Sequence, residues 1–226
     1  MNTSIQINDN QASDDEKIKQ LYGVEYFDPG TSAIVEARSD DLYYFKTFVG
    51  EHKISVEKGD SVFYLSEDEI TAYIKCGPAN VTSHHIATVI RGYMSEDKSS
   101  TITRKTNLPY VNGCSTKQVF SPERLGDPTL QLLDIPPYSA EQAHHIHSTV
   151  RVAYILSGTG RSIVGMGEHY VTEKLYHGKT VILQKMCPHH FETDGEHLIV
   201  LPLHVFSSVG MLENNHPMFN GTHLTG

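Results

Sequence analysis

The sequence predicts an all-β protein whose strands close into a barrel or jelly roll. Short runs rich in β-branched and aromatic residues recur along the chain, and turn residues such as Gly and Asp-Gly separate them. Antiparallel strands joined by such short turns form a closed sheet most readily, because closure removes the exposed strand edges. Hydrophobic residues make up 38% of the 226 residues, which is enough for a core.

The strands of the second half follow one another in hairpins. Apolar, β-branched runs alternate there with glycine-containing turns, the usual signal for antiparallel pairs. The predicted strands and turns are, in order, 130–135, 150–156, the turn 157–160, 161–164, the strand-rich segment 178–191, the turn 194–195 and 198–205.

The first half is also rich in β signals. It forms either a degenerate second barrel or an extension of the sheets of the C-terminal barrel. We expect four regions: a flexible N-terminal segment (1–25), a β-rich N-terminal region (26–108), a metal-binding barrel (109–211) and a C-terminal tail (212–226). The predicted strands of the first half are 43–49, 53–56, 62–65, 70–74 and 85–93.

A cluster of histidines marks the second half as the functional part. His145 and His147 form a His-Ile-His sequence, and a strand presents alternate residues on one face. His189 lies in a Pro-His-His-Phe sequence on a strand predicted to lie nearby. A lone histidine is usually a core residue, but three imidazoles on one face can hold a divalent metal such as Zn, Cu, Fe or Ni. We therefore predict that His145, His147 and His189 are metal ligands.

The remaining histidines and nearby acidic or amide residues leave the ligand set open. His144 faces away from its neighbour His145, so packing or support of a ligand is expected. If the strand register is shifted by one residue, His190 replaces His189. The fourth ligand is Glu141, Gln142, His190, His197 or water, with His204 as a further candidate on the same strand as His197.

Arg151 is the second element of the predicted site. Counting in twos from His147, it lies on the histidine face. Arginine stays protonated, so three neutral imidazoles, a divalent ion and a guanidinium concentrate positive charge. Burying this charge without a partner is costly. We therefore expect an anion beside Arg151: a substrate carboxylate, a structural Asp or Glu, or a buffer ion.

These motifs resemble those of the cupin superfamily. His145, His147 and Gly158 match its first motif, and Pro188-His189 matches the second, over roughly residues 109–208. One position departs from the pattern: Arg151 stands where the family expects a glutamate ligand. The resemblance implies a small β-barrel with a metal inside. The chain is similar to bacterial manganese-containing cupins. This similarity favours Mn over Fe, Zn, Ni or Cu, with one ion per chain.

The expected function is that of a metalloenzyme acting on a small anionic molecule held between the metal and Arg151. Cupins include dioxygenases, isomerases, decarboxylases and lyases, so the fold leaves the reaction open between a dioxygenase-type oxidation and an isomerisation or elimination. The catalytic residues are left open, and the sequence shows no strong general base beyond the histidines. The alternative is a non-catalytic ligand-binding or sensor protein.

Charge and composition limit the classes of molecule that the protein is expected to bind. A formal charge of −9 argues against nucleic-acid or anionic-membrane binding. We expect no transmembrane helix and no signal peptide, and three scattered cysteines fit a reducing cytoplasm. Exposed strand edges make a homodimer the expected assembly.

Overall fold

The structure is a computed structural model that describes residues 9–36, 44–124 and 126–206. It confirms the all-β fold class: these residues contain seventeen strands, one α-helix and a single 3-10 turn at Val111–Gly113. The helix is α1 (Asp9–Tyr22). The strands are β1 (Val24–Phe27), β2 (Ala33–Glu36), β3 (Phe45–Val49), β4 (His52–Val56), β5 (Ser61–Leu65), β6 (Thr71–Cys76), β7 (Ala79–Ser83), β8 (Ile86–Ile90), β9 (Lys98–Thr101), β10 (Leu108–Pro109), β11 (Ser115–Phe120), β12 (Thr129–Ile135), β13 (Thr149–Met166), β14 (His169–Tyr176), β15 (Thr180–Leu183), β16 (His189–Glu192) and β17 (Leu198–Phe206).

The C-terminal half is built around the long strand β13. The main sheet has the order β1-β15-β13-β17-β12-β11-β10, and β14 and β16 pair with the second part of β13. Gly158 lies where β13 passes from one set of partners to the other. Its φ is +82°, and a Cβ there would lie 1.7 Å from the carbonyl oxygen of His197, so only glycine fits.

Strands β2 to β9 of the N-terminal half form sheets of their own. One has six strands in the order β2-β3-β8-β5-β6-β9, and the other is the pair β4-β7. Within the described residues these strands pair among themselves, so they do not extend the C-terminal sheet. That this region is a degenerate second barrel, and that the chain divides into four regions, remain proposals.

The two faces of the C-terminal sheet have different partners. On β13, Val152 belongs to an apolar cluster that also contains Phe45 and Phe63 of the N-terminal half. Its neighbour Ala153 points the other way, into a second cluster with Val200 inside the C-terminal barrel. Because side chains alternate along a strand, Arg151 shares the inward face of Ala153.

The segment that is predicted to be flexible is described from residue 9 onward. It contains α1, and β1 pairs with β15 through Val24 and Leu183. This pairing joins residues far apart in sequence, which local patterns do not predict. Residues 1–8 and the predicted tail 212–226 lie outside the described residues. The described part of the chain has no helix with the length and apolar character needed to cross a membrane.

Candidate metal centre

Backbone hydrogen bonds place the histidine segment against β16. His145 and His189 bond to each other in both directions, with N···O distances of 3.1 and 2.9 Å. The amide of Met186 also donates to the carbonyl of His147 at 2.6 Å. These bonds fix the main chain from which the three imidazoles project.

The His-Ile-His segment is extended but lies just before a strand rather than within one. Glu141 pairs with Phe191 and His145 pairs with His189, so four steps along one chain match two steps along the other. The three residues 142–144 therefore face His190 alone, and the two extra residues bulge out of the ladder and interrupt the strand. The regular strand β13 begins only at Thr149.

The three imidazoles converge. Each of His145, His147 and His189 offers a ring nitrogen, and these nitrogens lie within 4.8 Å of one another. The Nε2 atoms of His145 and His147 are 2.6 Å apart. The ring centroids of His145 and His189 are 4.7 Å apart, and those of His147 and His189 are 5.5 Å apart.

Two of these rings carry their proton on Nδ1, which leaves Nε2 available to bind a metal. Nδ1 of His145 lies 2.7 Å from the carbonyl oxygen of Ala143, and Nδ1 of His189 lies 2.7 Å from that of Cys187. A carbonyl only accepts hydrogen bonds, so each neutral ring carries its proton on Nδ1 and presents a lone pair at Nε2. Nε2 of His189 is buried without a hydrogen-bond partner. This arrangement fits a metal ion.

Burial keeps the trio neutral. It lowers the pKa of His147 to about 2 and that of His189 to about 3, and it also lowers the pKa of His145. The positive charge of Arg151 lowers all three further. Neutral imidazoles are the form that binds metals, so none of these rings needs to lose a proton near pH 7.

Three other histidines, His144, His190 and His197, lie outside the cluster of converging imidazoles. Nδ1 of His144 is 2.8 Å from Nδ1 of His190, and its Nε2 is 2.7 Å from the carbonyl oxygen of Gly165. His197 is bonded to Asp134 at 2.8 Å. Among the described residues, the cluster therefore contains neither His190 nor His197, and the register that places His189 in the cluster is the one observed.

Cys187 contributes through its backbone. Its side chain is 1% exposed within the apolar interior, and burial raises the pKa of its thiol to about 12. A neutral buried thiol is a poor metal ligand. Its carbonyl instead orients the ring of His189.

Arg151 lies inside the barrel, opposite Leu183 on β15 and His204 on β17. Its Nε is buried without a hydrogen-bond partner. It lines a cavity of about 190 Å³ whose other polar walls include Tyr110, Gln118, Gln131, Glu141 and His204.

Two of these residues, Glu141 and His204, are predicted from the sequence only as candidate metal ligands. Glu141, one of the candidate fourth ligands, is 4% exposed and lies outside the histidine cluster. Burial raises the pKa of its carboxyl to about 6, against the opposing effects of Arg151 and of the Phe191 amide. His204 faces Arg151 across the strands, and burial lowers its pKa to about 3. Strand alternation could have indicated His204, whereas the burial of Glu141 depends on the bulge.

Comparisons with known proteins find distant likenesses among solved structures. No family model and no curated protein matches the chain. Among solved structures, a cupin-2 domain from Rhodospirillum rubrum is 19% identical (TM-score 0.37), and the match covers 42% of this chain and 60% of that one. A cupin 2 conserved barrel protein from Leptotrichia buccalis is 11% identical (TM-score 0.46; 79% and 91% covered). An oxalate decarboxylase variant from Bacillus subtilis is 10% identical (TM-score 0.45; 81% and 75% covered).

These identities and TM-scores are low, and the fold follows from the chain's own features. The C-terminal half is an antiparallel β structure, and the His-x-His and Pro-His segments pair with each other inside it. Gly158, the third matching motif position, is required where β13 changes partners. This arrangement agrees with the all-β barrel architecture that the sequence predicts.

Proposed function

We propose that His145, His147 and His189 hold one divalent transition metal and that the protein is a metalloenzyme acting on a small anionic molecule beside Arg151. One observation carries the metal site: Nε2 of His189 is buried without a partner and faces two further imidazoles. A buried polar atom without a partner is costly unless something binds to it.

Manganese is the first choice of metal because the motifs are similar to those of bacterial manganese-containing cupins. Iron, zinc, nickel and copper also accept imidazole ligands. A metal bound there would supply Lewis acidity or, if redox-active, electron transfer. Three protein ligands would leave positions open, which catalytic sites require.

The chain's own residues would bind and orient the anion. The guanidinium of Arg151 has donors in the arrangement that grips a carboxylate. Leu183, Phe191 and Val200 form apolar walls of the same cavity, and such walls keep water away from a bound molecule. The reaction would be an oxidation, an isomerisation or an elimination.

An enzyme is favoured over a sensor because the cavity holds a buried acid, Glu141, next to the anion-binding arginine. Acids with raised pKa values in cavities are typical of catalytic sites. The test is to load untagged protein with manganese and to add small carboxylates while measuring oxygen uptake and product formation. Turnover supports the proposal, whereas ligand-dependent thermal stabilisation without turnover would favour a sensor.

A further inference from the structure

The cavity beside Arg151 has a size and a polarity that restrict its ligand. Its volume of about 190 Å³ is somewhat larger than that of an engineered cavity of about 150 Å³ that holds benzene. Gln118 and Gln131 supply amide groups from β11 and β12, while Leu183 and Val200 are apolar. The ligand should therefore be a small molecule with polar atoms on one side.

Arg151 provides the only full positive charge among the side chains lining this cavity in the described residues. Its Nε has no hydrogen-bond partner, although the atom is buried. Burial lowers the pKa of Arg151 from its ordinary value, with Glu141 and Tyr110 acting in the opposite direction. The guanidinium still carries its charge near neutral pH and needs an acceptor.

Glu141 is an unusual second member of the cavity. One carboxyl oxygen, Oε1, accepts a hydrogen bond from the Phe191 amide at 3.2 Å, and the Glu141 amide donates to the Phe191 carbonyl at 2.9 Å. The bond from the Phe191 amide uses only one of the two carboxyl oxygens. The backbone thus holds the carboxyl in place while one oxygen is left for a ligand.

The charges favour a protonated Glu141 when an anion is bound. With a carboxylate beside Arg151, an ionised Glu141 would leave one uncompensated negative charge among the groups that line this cavity, which do not include His145, His147 or His189. A protonated Glu141 leaves the pair neutral, and its O–H can donate to the anion in a strong charge-assisted bond. Arg151, Tyr110 and Cys114 are the other ionisable groups that act on Glu141, and His204 lines the same cavity in its neutral form.

We infer that this cavity binds a small hydroxy- or keto-monocarboxylate whose carboxylate is held by Arg151 and by Glu141 in its acid form, so that binding takes up one proton. This inference rests on the proposed anion site and adds the ligand class and the role of Glu141. Because the Glu141 carboxyl has a pKa of about 6, it is mostly ionised in the free protein above neutral pH. It must therefore gain a proton as the ligand enters.

The test is calorimetric binding of pyruvate and lactate to the full-length, manganese-loaded protein near pH 7.5, in two buffers of different ionisation enthalpy. The buffer dependence of the heat counts the protons taken up. We expect about one proton per ligand and an affinity that falls about tenfold per pH unit above pH 7. Propionate, which has the carboxylate but no second oxygen, should bind more weakly.

Three variants separate the possible outcomes. Glu141→Gln should bind pyruvate at least as tightly, without proton uptake and with little pH dependence, because an amide N–H replaces the O–H donor. Glu168→Gln changes an exposed carboxylate in the β13–β14 turn and should behave as wild type. Arg151→Leu should lose pyruvate binding.

Wild-type binding without proton uptake, or loss of binding in Glu141→Gln with a wild-type melting temperature, would overturn the inference and leave the anion site intact. Propionate binding as tightly as pyruvate would overturn the hydroxy- or keto-acid assignment. Equal binding of pyruvate by wild type and Arg151→Leu, or no binding of any of the three acids to wild type, would overturn the proposed anion site itself.

Discussion

His145 and His189 are joined by two backbone hydrogen bonds, one in each direction, at 3.1 and 2.9 Å. This isolated bridge joins the two motif segments, which are far apart in sequence. It holds the two main-chain segments side by side, and the ring centroids of the two side chains lie 4.7 Å apart. The candidate metal centre is therefore fixed by the main chain, which makes it a preorganised site.

The adjacent histidines His189 and His190 give a matched pair of variants. We expect His189→Ala to lower metal affinity by more than about 100-fold, because it removes a ligand rather than a supporting group. His190→Ala should keep about one metal per chain, since His190 bonds to His144 outside the cluster. Elemental analysis after dialysis measures both. Loss of metal in His190→Ala with retention in His189→Ala would show that the register is shifted.

Arg151→Leu tests the anion site separately from the metal. Metal content should stay near wild type, because arginine is not a ligand, and binding of small carboxylates should be lost. The control is Arg161→Leu on the same strand, where the side chain is exposed and pairs with Glu192 at 2.8 Å. Calorimetry and elemental analysis on the same samples decide the outcome. Unchanged carboxylate binding in Arg151→Leu would contradict the assignment.

Glu141 should make stability depend on pH. Folding raises the pKa of its carboxyl from 4.5 to about 6, so its stabilising contribution is fully present below pH 4.5 and is lost as the pH rises through 6. Near pH 7.5 the ionised group therefore costs on the order of 1–2 kcal/mol. We expect Glu141→Gln to raise the free energy of unfolding by about this amount near pH 7.5 and to change it little near pH 4.5.

Urea unfolding at the two pH values measures this difference, with Glu168→Gln as the exposed control. A Glu141→Gln variant that is less stable than wild type near pH 7.5 would show that the ionised carboxylate is held by favourable contacts instead.

Alanine substitutions at Gly158 and Gly167 distinguish the cost of a steric clash from the cost of backbone strain. Both glycines have positive φ, +82° and +65°. A Cβ at Gly158 would lie 1.7 Å from a backbone oxygen, whereas nothing lies within 4 Å at Gly167. We expect Gly167→Ala to cost about 1 kcal/mol of stability and Gly158→Ala to cost at least about 3 kcal/mol. Thermal melting compares the two. Equal losses would mean that β13 can move away from β17 at low cost.

The sequence predicted the convergence of His145, His147 and His189 because the histidine motif has strand spacing and a Pro-His step lies in a neighbouring strand-rich segment. Alternation along β13 likewise predicted that Arg151 faces the barrel interior. These are local patterns, and the barrel brings them together. The predicted strands of the first half also correspond to β3, β4, β5, β6 and β8, with differences of a few residues at their ends.

Other features depend on contacts that no local pattern encodes. The pairing of β1 with β15 joins residues about 150 positions apart, and the first strand gives no sign of its partner. The carbonyls of Ala143 and Cys187 orient the ligand rings, but every residue has a carbonyl, so its use is invisible in the sequence. The burial of Glu141 follows from the bulge at 142–144, whose length only the pairing with β16 reveals.

The most direct test of the metal centre is X-ray diffraction from crystals of untagged protein, with data collected on both sides of the absorption edge of the metal found by elemental analysis. The proposed site predicts one anomalous peak per chain within bonding distance of ring nitrogens of His145, His147 and His189. A peak between His144 and His190, or no peak among the three rings in protein loaded with manganese, would contradict it.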